Sequence, residues 1–137
     1  MMGVTGAQAA QRLTELGVAA IGANCGNNLP ETEAALAEIR ANTHLPVISK
    51  ANAGIPEWHG AELSYSGSPD IMGAHAHRMR EAGIQIVGGC CGNSPAHVAA
   101  IRGVLDGTLP VPDVEVLEAP TRTETEGSPR RGRRRRG

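Results

Sequence analysis

Short apolar runs alternate with segments that carry helix signals, and this alternation constrains the fold more than any other feature. Val18 to about Asn24, Val47 to Asn52 and Ile84 to Val87 are the runs. Runs of this kind, separated by helices, read as parallel strands covered by helices. The helix signals are local. Thr5 with Gln8 is a capping-box pair, Ala9, Leu13 and Leu16 share a face, and Gly17 is a stop. Asn28-Leu29-Pro30 opens a second helix with Leu36 and Ile39 inward. Ser68-Pro69-Asp70 opens a third, running to about Ala82. Ser94-Pro95 opens a fourth, with Val98, Ile101 and Leu105 inward and Gly107 after it. The stretch from Ile55 to Gly67 shows no clear period and is expected to loop outward. The order is α-β-α-β-α-β-α with short connections, and a sheet of three strands would leave two open edges.

The core palette fits this class. Trp58 and Tyr65 are the aromatic residues of all 137, and there is no Phe. Ala, Val, Ile and Leu must then build the interior, which suits layered α/β packing. The domain is expected to end near residue 109. From Pro110 the chain turns polar and proline-punctuated, and residues 110–137 are expected to be a disordered tail ending in Arg130, Arg131 and Arg133 to Arg136. Without those arginines the body carries seven basic and 14 acidic residues. No aromatic residues interleave with the arginines and no folded nucleic-acid motif accompanies them. A solvated extension is the preferred reading, with a basic-tailed RNA-associated protein as the alternative.

No stretch approaches the roughly 18 apolar residues of a membrane span, and the first residues do not form a signal peptide. Cys25, Cys90 and Cys91 are odd in number and two are adjacent, which is unlike a disulfide framework. A reducing cytoplasm is the expected setting.

These cysteines carry the chemistry. Each closes an apolar run in a glycine-rich string: Gly22-Ala23-Asn24-Cys25-Gly26 and Val87-Gly88-Gly89-Cys90-Cys91-Gly92. Each therefore sits at the C-terminal end of an expected parallel strand, where α/β folds place ligands and catalytic groups. Adjacent strand residues face opposite ways, so Cys90 and Cys91 can share a metal only if the strand breaks there. Gly88, Gly89 and Gly92 are expected to supply the backbone angles for that break. Three thiolates leave one coordination position open, as at a catalytic rather than a structural metal site. Burial as small apolar residues and a redox pair are the alternatives.

Together with Asn52-Ala53-Gly54-Ile55-Pro56 and the continuation Asn93-Ser94-Pro95-Ala96-His97, these strings resemble the zinc-dependent homocysteine S-methyltransferase family. That family includes betaine–homocysteine methyltransferases and the homocysteine-binding part of cobalamin-dependent methionine synthases. The resemblance runs from about Met1 to Leu109. It implies that Cys25, Cys90 and Cys91 are Zn2+ ligands, and that Asn52 faces substrate. It implies a (β/α)8 TIM-type barrel, with the strands here as its sixth, seventh and eighth. It implies transfer of a methyl group to the thiol of homocysteine, giving methionine, with homocysteine and a methyl donor as partners. Lys50-Ala51-Asn52 departs slightly from the family's Lys-Pro-Asn. A whole barrel needs about 250 residues, so the chain is expected to be the C-terminal part of one. It would then be inactive or weakly active alone, or a zinc-binding module completed by a separate N-terminal barrel half.

The remaining candidates read as ordinary. His44, His59, His75 and His77 lack metal-ligand helix spacing and are expected to be surface or capping residues. His97 follows the cysteine pair by one turn, close enough to support a ligand. Glu31 and Glu33, like Glu57 and Glu62, are expected to be solvated charges.

Overall fold

The computed structural model describes residues 3–114. In chain order these form α1 (Gly6–Glu15), β1 (Ile21–Cys25), α2 (Leu29–Ala41), β2 (Val47–Ala51), β3 (Pro56–His59), β4 (Glu62–Tyr65), α3 (Pro69–Glu81), β5 (Ile86–Gly89) and α4 (Pro95–Asp106). The architecture is mixed α/β, with a parallel sheet ordered β1-β2-β5 and a separate antiparallel hairpin of β3 and β4.

Helix starts follow the sequence signals. Thr5 Oγ1 accepts the Gln8 amide at 3.2 Å, and Gln8 Oε1 accepts the Thr5 amide at 3.0 Å. Asn28 Oδ1 accepts the Glu31 amide at 2.8 Å, with Pro30 in the first turn of α2. Ser68 caps α3 in the same way, and Gly107 closes α4 at φ +76°. Each satisfied amide removes an orphan donor that would otherwise cost about 1 kcal/mol.

The sheet has two unlike faces. Register pairs Ile21 with Val47, Ala23 with Ser49, and Ser49 with Val87. On this face Ile21, Val47 and Ala51 are buried beneath Ala10 of α1, Leu36 and Ile39 of α2, Met72, Ala76 and Met79 of α3, and Ile101 of α4. Gly22, Asn24, Ile48, Lys50, Ile86 and Gly88 form the other face. None of these six is buried, and Ile86 is 49% exposed. Helices from all four segments thus pack on one side of a parallel sheet, a kind normally covered on both.

Several expectations are corrected. Ile55 to Gly67 is not a plain loop, because Pro56 pairs with Tyr65 and Trp58 with Leu63 in a hairpin. The third strand begins at Ile86, not Ile84, since pairing with Ile48 sets its limit while Ile84 is buried in the connection. Leu16 is 64% exposed, because α1 ends at Glu15 and the cap residue falls off the apolar face that Ala10 occupies. Val98 is 53% exposed in the first turn of α4, while Val104 takes the inward place beside Ile101.

Residues 110–114 have no regular structure but lie against the domain. Pro112 and Val114 line a cleft of about 400 Å³ with Val104 and Leu109. The remainder of the expected tail, including its arginines, lies outside the described residues. No helix among the described residues is long and apolar enough to cross a membrane.

Candidate metal centre

Cys25 ends β1 in a left-handed conformation, φ +61°, the one non-glycine residue with positive φ among the described residues. That conformation costs an L-residue about 1–2 kcal/mol, and such strain persists where surrounding structure over-determines it. The determinants are visible. Thr32 Oγ1, in the first turn of α2, donates to the Cys25 carbonyl at 3.2 Å and to the Asn28 carbonyl at 2.9 Å. Asn24 Nδ2 donates to Cys25 Sγ at 3.2 Å.

The second string breaks its strand immediately after Gly89. The Cys90 amide still donates to the Ala51 carbonyl at 2.8 Å, extending the ladder by one rung. The chain then turns through Gly92 at φ +74°. Gly92 is the one glycine of the three that supplies an unusual angle, which corrects the expectation for Gly88 and Gly89. Gly89 is needed for space instead. A Cβ there would lie 2.3 Å from Asn93 Cγ. Asn93 turns back over the strand end and donates from Nδ2 to the Ala51 carbonyl at 3.1 Å and the Cys90 carbonyl at 3.3 Å.

Asn52 joins the two strings. It is 8% exposed at the end of β2, the central strand. Its Nδ2 donates to the Gly26 carbonyl at 3.0 Å, and its Oδ1 accepts the Cys91 amide at 3.1 Å. The Ala53 amide donates to the Cys91 carbonyl at 2.9 Å.

The result is a cluster of sulfurs. Cys25 Sγ and Cys90 Sγ are 3.2 Å apart, Cys90 Sγ and Cys91 Sγ 4.0 Å, and all three lie within 4.8 Å of one another. Three sulfurs on a tetrahedral zinc at about 2.3 Å are separated by about 3.8 Å. Sub-ångström side-chain movements would therefore accommodate one ion. The donor set also fits, since soft thiolates select zinc over hard cations. The sulfurs differ in acidity. Cys90 is held below the ordinary thiol value, chiefly by its hydrogen bond with Cys25 and against a penalty from burial. Cys25 is raised, chiefly by that same bond and then by burial. One contact thus favours ionisation of Cys90 with the proton kept on Cys25.

The other candidates lie elsewhere. His97 caps α4: its Nδ1 accepts the Ser94 amide at 3.0 Å, and its Nε2 lies 2.9 Å from the Gly67 carbonyl. His75 is not a surface residue. It is fully buried, with Nε2 3.1 Å from Ser49 Oγ and Nδ1 2.7 Å from Glu33 Oε1. Glu33 is not free in solvent either, because Arg78 pairs with it through Nε and Nη2. The reason is periodicity, since His75 shares the buried face of α3 with Met72 and Met79. Ser49, His75 and Glu33 have the order of a nucleophilic triad. Ser49 and His75 are sealed between sheet and helix at 0% exposure, however, so no substrate reaches the hydroxyl.

Comparison with known proteins finds a matching family and two similar proteins. The family model described as homocysteine S-methyltransferase matches residues 1–105. The chain is 34% identical over 111 residues to a methionine synthase of Mycobacterium leprae, a match covering 77% of this chain and 9% of that protein. It is also 34% identical over 91 residues to a methionine synthase of Mycobacterium tuberculosis, covering 66% of this chain and 8% of that protein. The chain thus spans less than a tenth of the length of these curated relatives.

Proposed function

This chain belongs to the homocysteine S-methyltransferase family, and we propose that it contributes the zinc-binding end of such an enzyme, with Cys25, Cys90 and Cys91 as the metal ligands. The observation that carries this reading is the convergence of three sulfurs from two separate strand ends to within 4.8 Å. When bound, zinc would take the thiol of homocysteine at its fourth position and hold it as a thiolate near neutral pH, ready to accept a methyl group and give methionine.

The chain's own residues prepare that site. Three thiolates concentrate negative charge there, which keeps a fourth sulfur electron-rich. Asn24 donates to Cys25 Sγ and tempers that charge on one side. Asn52 and Asn93 hold the two cysteine strings by their backbone atoms, leaving the sulfurs free to point at one centre. The strained backbone at Cys25 aims its side chain away from the regular strand direction.

In this reading the described residues are an arc of a (β/α)8 barrel. Two features support it. Strands β1, β2 and β5 are parallel neighbours in chain order, and helices cover only one face. A doubly wound sheet would carry helices on both faces, whereas a barrel turns its second face inward. The remaining strands, whether in the same polypeptide or in a separate N-terminal half, would supply the rest of the homocysteine pocket and the methyl-donor site. A metal site built on three free thiols supports a reducing, cytoplasmic setting for this reading.

Metal analysis and turnover test this together. The full chain should bind one zinc, and Cys90→Ala should lose it. If Cys90→Ala retains as much zinc as the parent, the assigned site is wrong. The chain alone, supplied with zinc, homocysteine and methyl donors, should form little or no methionine. Addition of the missing barrel half should raise the yield.

A further inference from the structure

We propose that Tyr65 is a positioning residue for the metal centre: its ring packs on Gly92 and holds the turn that carries Cys91, so that this sulfur faces Cys25 and Cys90. The inference rests on the zinc reading above and adds to it a residue outside the three cysteine and asparagine strings.

Cys91 is the sulfur with least support. It is the exposed member of the three. Its backbone is fixed by Asn52 and Ala53, but its side chain stands on a turn between Cys90 and Gly92. The turn that carries it must therefore be held from outside.

Tyr65 is placed to do so. It ends β4, the half of the hairpin whose last residues are half-buried while β3 is exposed throughout. Its ring lies directly on the turn after Cys91. A Cβ at Gly92 would fall 2.3 Å from Tyr65 Cγ and 2.5 Å from Cδ2.

The hairpin that carries Tyr65 is tied to the same site. The Gly67 amide donates to the Ala53 carbonyl at 2.8 Å, and the Ser66 amide to the Ile55 carbonyl at 3.0 Å. Gly54 and Gly67 approach so closely that a Cβ on Gly54 would lie 2.5 Å from the Gly67 nitrogen. His97 holds the Gly67 carbonyl from α4. The hairpin base and the cysteine turn are thus parts of one hydrogen-bonded unit, and Tyr65 reports the position of one to the other. Its effect is preorganisation: the turn that carries Cys91 is fixed in folding rather than on metal binding.

The test uses the full chain and metal alone. Zinc affinity is measured by chelator competition, and ligand geometry by the absorption bands of the cobalt(II)-substituted protein. Tyr65→Ala should weaken zinc binding by about tenfold to a hundredfold, as loss of a supporting contact does, and alter the thiolate-to-cobalt band. Tyr65→Phe keeps the ring and should match the parent in both. Trp58→Ala, on the exposed part of the same hairpin, controls for hairpin folding and should also match. The inference is overturned if Tyr65→Ala binds zinc like the parent with the same cobalt spectrum. It is equally overturned if Tyr65→Phe or Trp58→Ala loses as much as Tyr65→Ala. A parent chain that binds no metal would instead remove the zinc reading itself.

Discussion

Asn52 accepts the backbone amide of Cys91 at 3.1 Å with the same side chain whose other end donates to the Gly26 carbonyl at 3.0 Å. One amide on the central strand thus fixes the distance between two cysteine strings 65 residues apart in sequence at their closest sulfurs. Resemblance to the family implies a substrate-facing role for this residue. The geometry supports a brace instead, because both ends of the amide already have partners. Asn52→Ala removes both bonds and leaves the Gly26 carbonyl and the Cys91 amide without this partner. Zinc affinity should fall about tenfold to a hundredfold, read by chelator competition. Asn52→Asp keeps an acceptor for the Cys91 amide but sets a carboxylate against the Gly26 carbonyl, so it should bind zinc no better than Asn52→Ala.

Gly92 couples two costs that a double variant can separate. Its φ of +74° would strain an alanine by about 1–2 kcal/mol. In addition, the new Cβ would overlap the Tyr65 ring. Gly92→Ala should therefore lower both the unfolding temperature and zinc affinity. In a Tyr65→Ala background the overlap with the ring is gone, and the backbone cost and the 2.6 Å approach to the retained Cβ of residue 65 remain. The effect of Gly92→Ala on stability should then be clearly smaller, a coupling that a double-mutant cycle measures.

How much of this could be read from the sequence differs by feature. The helices were legible because caps are local: Thr5 with Gln8, Asn28 with Pro30 and Ser68 with Pro69 each act within one turn. The positions of the cysteines at strand ends were legible for a similar reason, since apolar runs stop where glycine begins. The hairpin is hidden in the sequence, although Pro56, Trp58, Leu63 and Tyr65 alternate with Glu57, His59, Glu62 and Ser64. Four-residue strands give too short a pattern to stand out from a loop. His75 reads as a surface residue in sequence because its partners, Glu33 and Ser49, lie on other elements. A period of three to four linking Met72, His75 and Met79 was the available sign that it faces inward. Asn93 and Tyr65 had no sequence signal of their own, because their importance comes from what Gly89 and Gly92 lack.

The buried polar network under the sheet makes its own prediction. Burial opposes ionisation of Glu33, but hydrogen bonds from His75 and Arg78, with the charge of the Arg78 guanidinium, outweigh it and hold its carboxyl below the ordinary range. A carboxylate of lower pKa in the folded than the unfolded chain contributes stability that is complete above its ordinary value. That contribution is lost as pH falls through the folded value. Glu33→Gln should cost about 2 kcal/mol at neutral pH, the scale of a charged hydrogen bond. As pH falls below about 4.5, the ordinary carboxylate value, the gap between parent and variant should close. Thermal melts of both from pH 7 to pH 3 would show it, and parallel curves would place the stabilisation elsewhere.

The uncovered sheet face carries the last prediction. Ile48 and Ile86 lie side by side in register on that face, flanked by Lys50 and by glycines that cover nothing. Apolar area buried from water is worth about 25 cal/mol per Å², so a face of this kind gains by pairing with another surface. In a completed barrel that surface is the opposite wall. For the chain as it stands, a second copy is the available cover, and the edges of β1 and β5, unpaired among the described residues, add backbone donors and acceptors to the contact. The purified chain should therefore self-associate in a concentration-dependent way by sedimentation velocity. Ile86→Lys puts a charge at the centre of the face and should shift the population toward monomer. Zinc binding should be unaffected, because Ile86 points away from the face that the helices cover and lies three residues before the strand end. If the parent is monomeric at high concentration, or if Ile86→Lys leaves its association unchanged, this face is not the surface through which copies meet.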